Sequence, residues 1–195
     1  MERFKKTLAW IGLVGIMLSS TMVAQALSFT DVSESDWYYE YVSDLVDADI
    51  VDDGATFRPA DPLNRAEVAK IAVLAAGLDL DSSDGPTFED VAADAWYYDY
   101  VETAAKYGIV AGDTDAEGNL TGTYRPGDNV NRAEATKILG NAMDLVENVE
   151  GGPHFPDVAE DAWYYSYVET AYNWSVVDGN PDGTFKPGDP IARAA

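Results

Sequence analysis

The chain has 195 residues, no cysteine and a formal net charge of −23. A chain this acidic repels nucleic acid and anionic lipid at long range, so neither is an expected partner. The missing cysteines rule out disulfide staples, and the apolar and aromatic content is too high for a disordered chain.

Residues 1–26 read as a leader. Arg3, Lys5 and Lys6 make a basic start, Leu8 to Val23 is an apolar run, and Ala24-Gln25-Ala26 is a small-x-small cleavage site. This predicts a secretory signal peptide cut after Ala26. The run is short and interrupted by Gly12, Gly15, Ser19, Ser20 and Thr21, which favours cleavage over a retained anchor. No later stretch is long and apolar enough to span a bilayer, so no membrane insertion is expected after cleavage.

The rest of the chain repeats itself. "FTDVSESDWYYEYV" begins at Phe29, "FEDVAADAWYYDYV" at Phe88 and "FPDVAEDAWYYSYV" at Phe155. A second block follows each: "TFRPADPLNRAE" from Thr56, "TYRPGDNVNRAE" from Thr123 and "TFKPGDPIARAA" from Thr184. Aromatic and arginine keep one spacing throughout (Phe57 to Arg65, Tyr124 to Arg132, Phe185 to Arg193), while the loop ahead of them varies. Fixed segments joined by one elastic loop mark a repeated structural unit. The expected organisation is a leader, 1–26, then repeats at 27–80, 81–148 and 149–195.

Each repeat reads as helix, loop, helix. In the second, Asp94 is placed to cap a helix running to about Tyr107, with Trp96, Tyr100, Ala104 and Tyr107 on one face and Gly108 as the stop. A polar loop and an extended "TYRP" follow, since the residue before proline avoids the helical region. The next helix is expected from Arg132 to about Met143, burying Ala135, Ile138, Leu139 and Ala142. Its counterpart in the first repeat buries Val68, Ile71, Ala72 and Ala75, with Gly77 as C-cap. Asn64 with Glu67, and Asn131 with Glu134, have capping-box spacing. The third repeat reaches Ala195 where its second helix is due, which reads as a fragment of a longer protein.

These blocks resemble S-layer homology domains. The match lies in the F-x-D-V opening, the aromatic-rich first helix, the glycine turn after "IV", the D-G-x-F-x-P element ("VVDGNPDGTFKP", 176–187) and the R-A-E signature. It covers about residues 29–195. The resemblance implies a mainly α fold: three helix-loop-helix repeats in a pseudo-threefold, three-pronged spindle around a central three-helix bundle. It implies non-covalent anchoring of an exported S-layer or other cell-surface protein to cell-wall polysaccharide, through grooves between repeats. The implied ligand is a pyruvylated secondary polymer, or peptidoglycan or a polymer linked to it. The implied location is secreted, at the cell wall, S-layer and cell surface. S-layer self-assembly through regions outside this sequence is a further implied partnership. Asn64 and Asn131 replace the family's signature threonine. Ala192 and Ala195 leave the third repeat without its capping pair.

The cations sharpen the site. Beyond the leader, all but Lys106 fall at three repeated positions: Arg58, Arg125 and Lys186 before the loop proline; Arg65, Arg132 and Arg193 in the signature; Lys70 and Lys137 within the second helix. An arginine in a helix's first turn is awkward, because the dipole disfavours cations there. An anion in front of it removes the difficulty. Free N–H groups at the helix start plus a guanidinium suit a ketal-linked carboxylate. The other reading is a bridge from Arg65 and Arg132 to an aspartate of the same or next repeat; Asp31, Asp90 and Asp157 repeat equally and are candidate partners for some of the in-phase cations. Trp37, Trp96 and Trp163 read either as core anchors or as groove walls that stack on sugar. Gly54, Gly112 and Gly179 read as turn glycines or as points of close ligand approach. These twelve residues form the candidate polysaccharide site. On this reading, Arg65→Ala or Arg132→Ala weakens wall binding without unfolding the protein.

Catalysis finds little support. The single histidine, His154, lies in a linker, and no carboxylate pair stands apart from the repeat pattern. "DTDAEGN", 113–119, resembles a calcium loop, but Tyr124 stands where the bidentate glutamate belongs. No enzyme activity, cofactor or metal is expected of these repeats. The rival to an S-layer anchor is the anchoring region of an exported glycoside hydrolase or peptidase, catalytic beyond residue 195.

Overall fold

A computed structural model describes residues 27–195. The signal-peptide expectation falls on 1–26, outside the described residues. Five helices form: α1 (Tyr39–Asp47), α2 (Arg65–Ala75), α3 (Tyr98–Lys106), α4 (Arg132–Ala142) and α5 (Tyr165–Asn173). The only β pairing among the described residues is a set of isolated antiparallel bridges. The fold is mainly α, as expected.

The second helix of each complete repeat starts where the capping box places it. Asn64 Oδ1 accepts from the Glu67 N–H at 2.9 Å, and the Asn64 N–H donates to Glu67 Oε2 at 2.9 Å. Asn131 and Glu134 repeat the exchange. Gly77, at φ +63°, ends α2. The first helices depart from expectation. Asp94 does not cap α3, which begins four residues later at Tyr98 and has no side-chain cap. A tight turn intervenes, with the Ala95 N–H on the Ala92 carbonyl and the Tyr98 N–H on the Ala95 carbonyl. That turn moves Trp96 off the helix. The stripe buried on α3 is therefore Val101 to Ala104, not Trp96 and Tyr107.

Helices pack across repeat boundaries. α2 lies against α3 and α4, and α4 lies against α5. One core cluster accordingly joins Val68, Ala72 and Val73 of α2 to Val101 and Ala104 of α3 and to Ala135 and Ile138 of α4. The α2–α4 pair is the part of the central bundle that the described residues supply. α1, by contrast, buries only Val42.

The extended segments at the signature of each repeat close a three-membered ring. The Leu63 N–H donates to the Ile191 carbonyl, Ile191 to Val130, and Val130 to Leu63, each at 2.9 Å. Each repeat thus gives one bond and takes one, and the third repeat is joined back to the first. Ordered linkers complete the frame. Glu102, buried on α3, accepts from the Thr87 N–H and hydroxyl, while Glu169, buried on α5, accepts from His154. Thr103 and Thr170 accept from the Asp81 and Asn148 N–H groups. Both carboxylates and both threonines receive the chain arriving from the preceding repeat.

Candidate functional site

The signature arginines extend the ring outward. Arg65 lies over the Tyr124 ring, its guanidinium carbon 4.6 Å from the centroid, and Nε donates to the Tyr124 carbonyl at 2.6 Å. Arg132 treats Phe185 the same way, at 4.7 and 2.8 Å. Arg193 treats Phe57 so, at 5.0 and 2.7 Å, across the join between last repeat and first. Each arginine therefore clasps the aromatic of the next repeat in the cycle. Arg193 Nη1 also reaches Glu67 Oε1 of the first repeat's capping box at 3.2 Å.

The expected carboxylate cradle at the helix start is absent. The Arg65 N–H donates to the Asp128 carbonyl, the Ala66 N–H to Pro126 and the Glu67 N–H to Asn64 Oδ1. Arg132 and Ala133 are held alike by Asp189 and Pro187. The N–H groups that an anion would need are spent on closing the ring. The alternative, a bridge from the signature arginine to an aspartate of the same or next repeat, is met for Arg65, whose Nη2 lies 4.0 Å from Asp113 Oδ1, but not through the repeated aspartates. Asp31 instead accepts from the Phe57 and Arg58 N–H groups at 2.7 and 2.8 Å. Asp90 holds Tyr124 and Arg125, and Asp157 holds Phe185 and Lys186, in the same manner. Arg58, Arg125 and Lys186 all have φ between +56° and +59°. Each aspartate thus pins a left-handed turn that a non-glycine residue adopts reluctantly.

The glycines divide. A Cβ on Gly112 would lie 2.5 Å from Phe88 Cε1, and one on Gly179 would lie 2.6 Å from Phe155 Cε1. Gly54 faces open space. In the first repeat the position matching Gly112 is Asp53, whose carboxylate accepts from the Ser28 N–H. The tryptophans are not core anchors: Trp37, Trp96 and Trp163 are 70, 58 and 54% exposed, each propped edge-on by the following tyrosine.

A groove between the first two repeats gathers the exposed groups. Its cavity of about 290 Å³ is lined by Arg58, Lys70, Trp96 and Arg193, with Asp52 and Glu67 among the other walls. Lys70 Nζ is 2.7 Å from Asp52 Oδ2. The corresponding groups at the next boundary are Lys137, with Nζ 5.6 Å from the Trp163 ring centroid, and Arg65 and Arg125, which share Asp113. Of the sequence candidates, Trp96 and Arg193 therefore meet in one cavity. Asp31, Gly54 and Trp37 lie outside it. Lys70 and Arg58 were visible only as in-phase cations; that repetition was the signal for them. Asp113 and Asp115 of the calcium-like loop are engaged by Arg125 and by Asn119.

The S-layer homology domain family matches residues 28–69, 87–136 and 154–195, one match on each repeat with its clasp arginine and aromatic. The chain belongs to the S-layer homology domain family. It is 33% identical over 181 residues to the surface-layer 125 kDa protein of Lysinibacillus sphaericus, covering 88% of this chain and 14% of that protein. An endoglucanase of Bacillus sp. (strain KSM-635) is 28% identical over 84% of this chain and 17% of its own. The cellulosome-anchoring protein of Acetivibrio thermocellus is 26% identical over 72% of this chain and 32% of its own. The chain thus spans less than a third of the length of these relatives. S-layer homology domains are anchoring modules of cell-surface proteins, not catalytic units. No described helix is long and apolar enough to cross a membrane.

The carboxylates of these repeats set an acid limit on the fold. The Phe57 N–H lowers the Asp31 pKa, Lys70 lowers that of Asp52, and Arg125 lowers that of Asp113. A folded pKa below the unfolded one adds stability above the unfolded value, which is lost as pH falls through the folded value. Protonation of other acids meanwhile relieves the self-repulsion of a strongly acidic chain. Thermal melts are expected to hold or rise slightly from pH 7 to about 5 and to fall steeply below about 3.5. A melting temperature still rising at pH 3 would contradict this.

Proposed function

We propose that this module holds an anionic cell-wall polysaccharide in the grooves between its repeats, with Trp96 stacking on a sugar or ketal methyl and Lys70 and Arg58 meeting the carboxylate. The observation that carries this reading is the meeting of an exposed tryptophan with three cations in one cavity of a chain otherwise strongly acidic. Arg193 forms the groove floor, already aligned by Phe57. Trp163, Lys137, Arg125 and Arg65 form the second groove by the same plan. Trp37 and Arg132 are the first and second repeats' contributions to a third. Asp31, Asp90, Asp157, Gly112 and Gly179 shape the loops that bear the cations, and Gly54 has the weakest case of the candidate set. The repeats are bounded at 27–80, 81–148 and 149–195.

The pyruvylated secondary polymer is the ligand that the chemistry favours, because a pyruvyl ketal offers a methyl and a carboxylate on one carbon. The test is a pull-down with purified walls before and after chemical removal of pyruvyl groups. Binding is expected to fall at least tenfold on removal. Unchanged binding would reject pyruvate as the recognised group. Trp96→Ala should weaken binding by tenfold or more with an unchanged melt; Lys70→Gln should do the same with only a small drop in the melt from loss of its Asp52 pair, since a charge-assisted contact contributes about 1.5–3 kcal/mol. What is anchored is either a surface-layer protein, as in the Lysinibacillus relative, or an exported enzyme. The endoglucanase match supports the latter.

A further inference from the structure

A second cleft lies at the opposite end of α4 from Arg132. Its volume is about 360 Å³, within the roughly 300–1,000 Å³ typical of small-molecule sites. Tyr107, Gly140, Asn141, Asp144, Glu147 and Tyr167 are the walls that matter. Unlike the wall groove, it has no arginine or lysine among its lining residues.

The cleft exists because the second repeat departs from the first. Gly140 on α4 occupies the place of Val73 on α2, which is fully buried. Asn141 replaces Leu74, Glu147 replaces Leu80 and Tyr107 replaces Ala48. The matching places at the first repeat boundary thus carry aliphatic groups, of which Val73 is fully buried, where the second boundary is open and polar. The replacements also break local rules. A glycine within a helix costs about 1 kcal/mol relative to alanine. No close packing demands this one, because a Cβ on Gly140 would meet nothing nearer than Leu145 Cδ1 at 3.9 Å. Asp144 has φ +52° where the first repeat has Gly77 at +63°. Its carboxylate also stands at a helix C-terminus, which the dipole disfavours for an anion. Rules broken together around one cavity point to a site.

The walls define the ligand. The carbonyl ends of α3 and α4 both face the cleft, beside Asp144 and Glu147, neither of which has an ion-pair partner among the described residues. Tyr107, 48% exposed, and Tyr167 supply aromatic surface. Lys137 approaches the Tyr167 ring from the groove side, 5.5 Å from its centroid, without lining the cleft. Carboxylates, helix C-termini and tyrosine faces all favour a cation and disfavour an anion. Asn141, Ser166 and the tyrosine hydroxyls suit a polyhydroxylated ring. We propose that this cleft binds a sugar residue bearing a free primary amine, a ligand opposite in charge to that of the wall groove.

The test is amide-resolved NMR titration of the full chain with D-glucosamine, N-acetyl-D-glucosamine and D-glucose. Glucosamine is expected to shift the Gly108 and Asn141 amides, with the other two sugars at least fivefold weaker. Gly140→Val restores the first repeat's wall and is expected to abolish those shifts while the melting temperature holds or rises. Asp144→Asn is expected to remove the preference for glucosamine over glucose, and it tests the site should Gly140→Val fail to fold. Equal shifts from glucose and glucosamine in the unaltered chain would overturn the proposal. So would full glucosamine binding by Asp144→Asn or by a folded Gly140→Val variant. Wall pull-down is unaffected by Gly140→Val, so this proposal and the wall-groove reading fail separately.

Discussion

Arg65→Ala is expected to lower the melting temperature by about 10 °C. Arg65 is 9% exposed, and its guanidinium is committed to the protein: Nε bonds the Tyr124 carbonyl and the plane lies over the Tyr124 ring. A hydrogen bond from a charged donor contributes about 1.5–3 kcal/mol, and a desolvated cation–π contact about 2. Their joint loss, about 3–5 kcal/mol, corresponds to roughly 2–4 °C per kcal/mol in a chain of this size. Tyr124 shares the cost. It is fully buried, and its hydroxyl, with pKa pushed up to about 12 by burial, donates back to the Arg65 carbonyl. The pair is thus reciprocal across the boundary between first and second repeats. Arg65→Lys should recover less than half the loss, because an ammonium has neither the Nε donor nor the plane. Arg58→Ala, at an exposed cation, should barely move the melt. If Arg65→Ala melts as the parent but no longer binds walls, the arginine is a ligand contact and its clasp is incidental.

This outcome separates the two readings that the residues alone left open. A first-turn arginine needed an anion in front of it, and the repetition showed that the need recurred. The structure meets it mainly with a backbone carbonyl and an aromatic face from the next repeat, with Asp113 standing 4.0 Å from Arg65 and Glu67 3.2 Å from Arg193. Carbonyls leave no trace in side-chain chemistry, so the acceptor could not be read from the sequence. The aromatic eight residues earlier was visible, but the arginine clasps its counterpart one repeat on. The second helices were legible because Asn64–Glu67 and Asn131–Glu134 are local devices whose geometry needs no tertiary context. The first helices were less so: an uncapped start after a turn carries no such mark, and the helical spacing of Trp96 and Tyr107 imitated a buried face. Gly140 was plain in the sequence but meaningless until Val73 appeared at the matching place.

Gly112→Ala is expected to destabilise the protein by about 2–5 kcal/mol, whereas Gly54→Ala is expected to be neutral or slightly stabilising. Both are glycines soon after an "IV" turn, but counted from that turn Gly112 matches Asp53, and Gly54 falls one residue later. Gly112 sits at φ +75°, where alanine incurs about 1–2 kcal/mol of backbone strain. Its added methyl would also meet Phe88 Cε1 at 2.5 Å and the Thr123 carbonyl oxygen at 2.8 Å. The second contact is the harder to relieve. Thr123 accepts the Asp113 N–H there, and the adjacent Tyr124 is held by both Asp90 and Arg65. The loop cannot retreat without loosening the clasp. Overpacking of this kind adds about 1–3 kcal/mol. Gly54 has no atom within 4 Å of its Cβ position and lacks a positive φ, so alanine there only restricts the unfolded chain. Urea unfolding of both variants measures the difference. Equal destabilisation would mean that the first repeat's loop packs as tightly as the second's. Equal tolerance would mean that Phe88 can move aside, and that the glycine is kept for whatever approaches it from the groove.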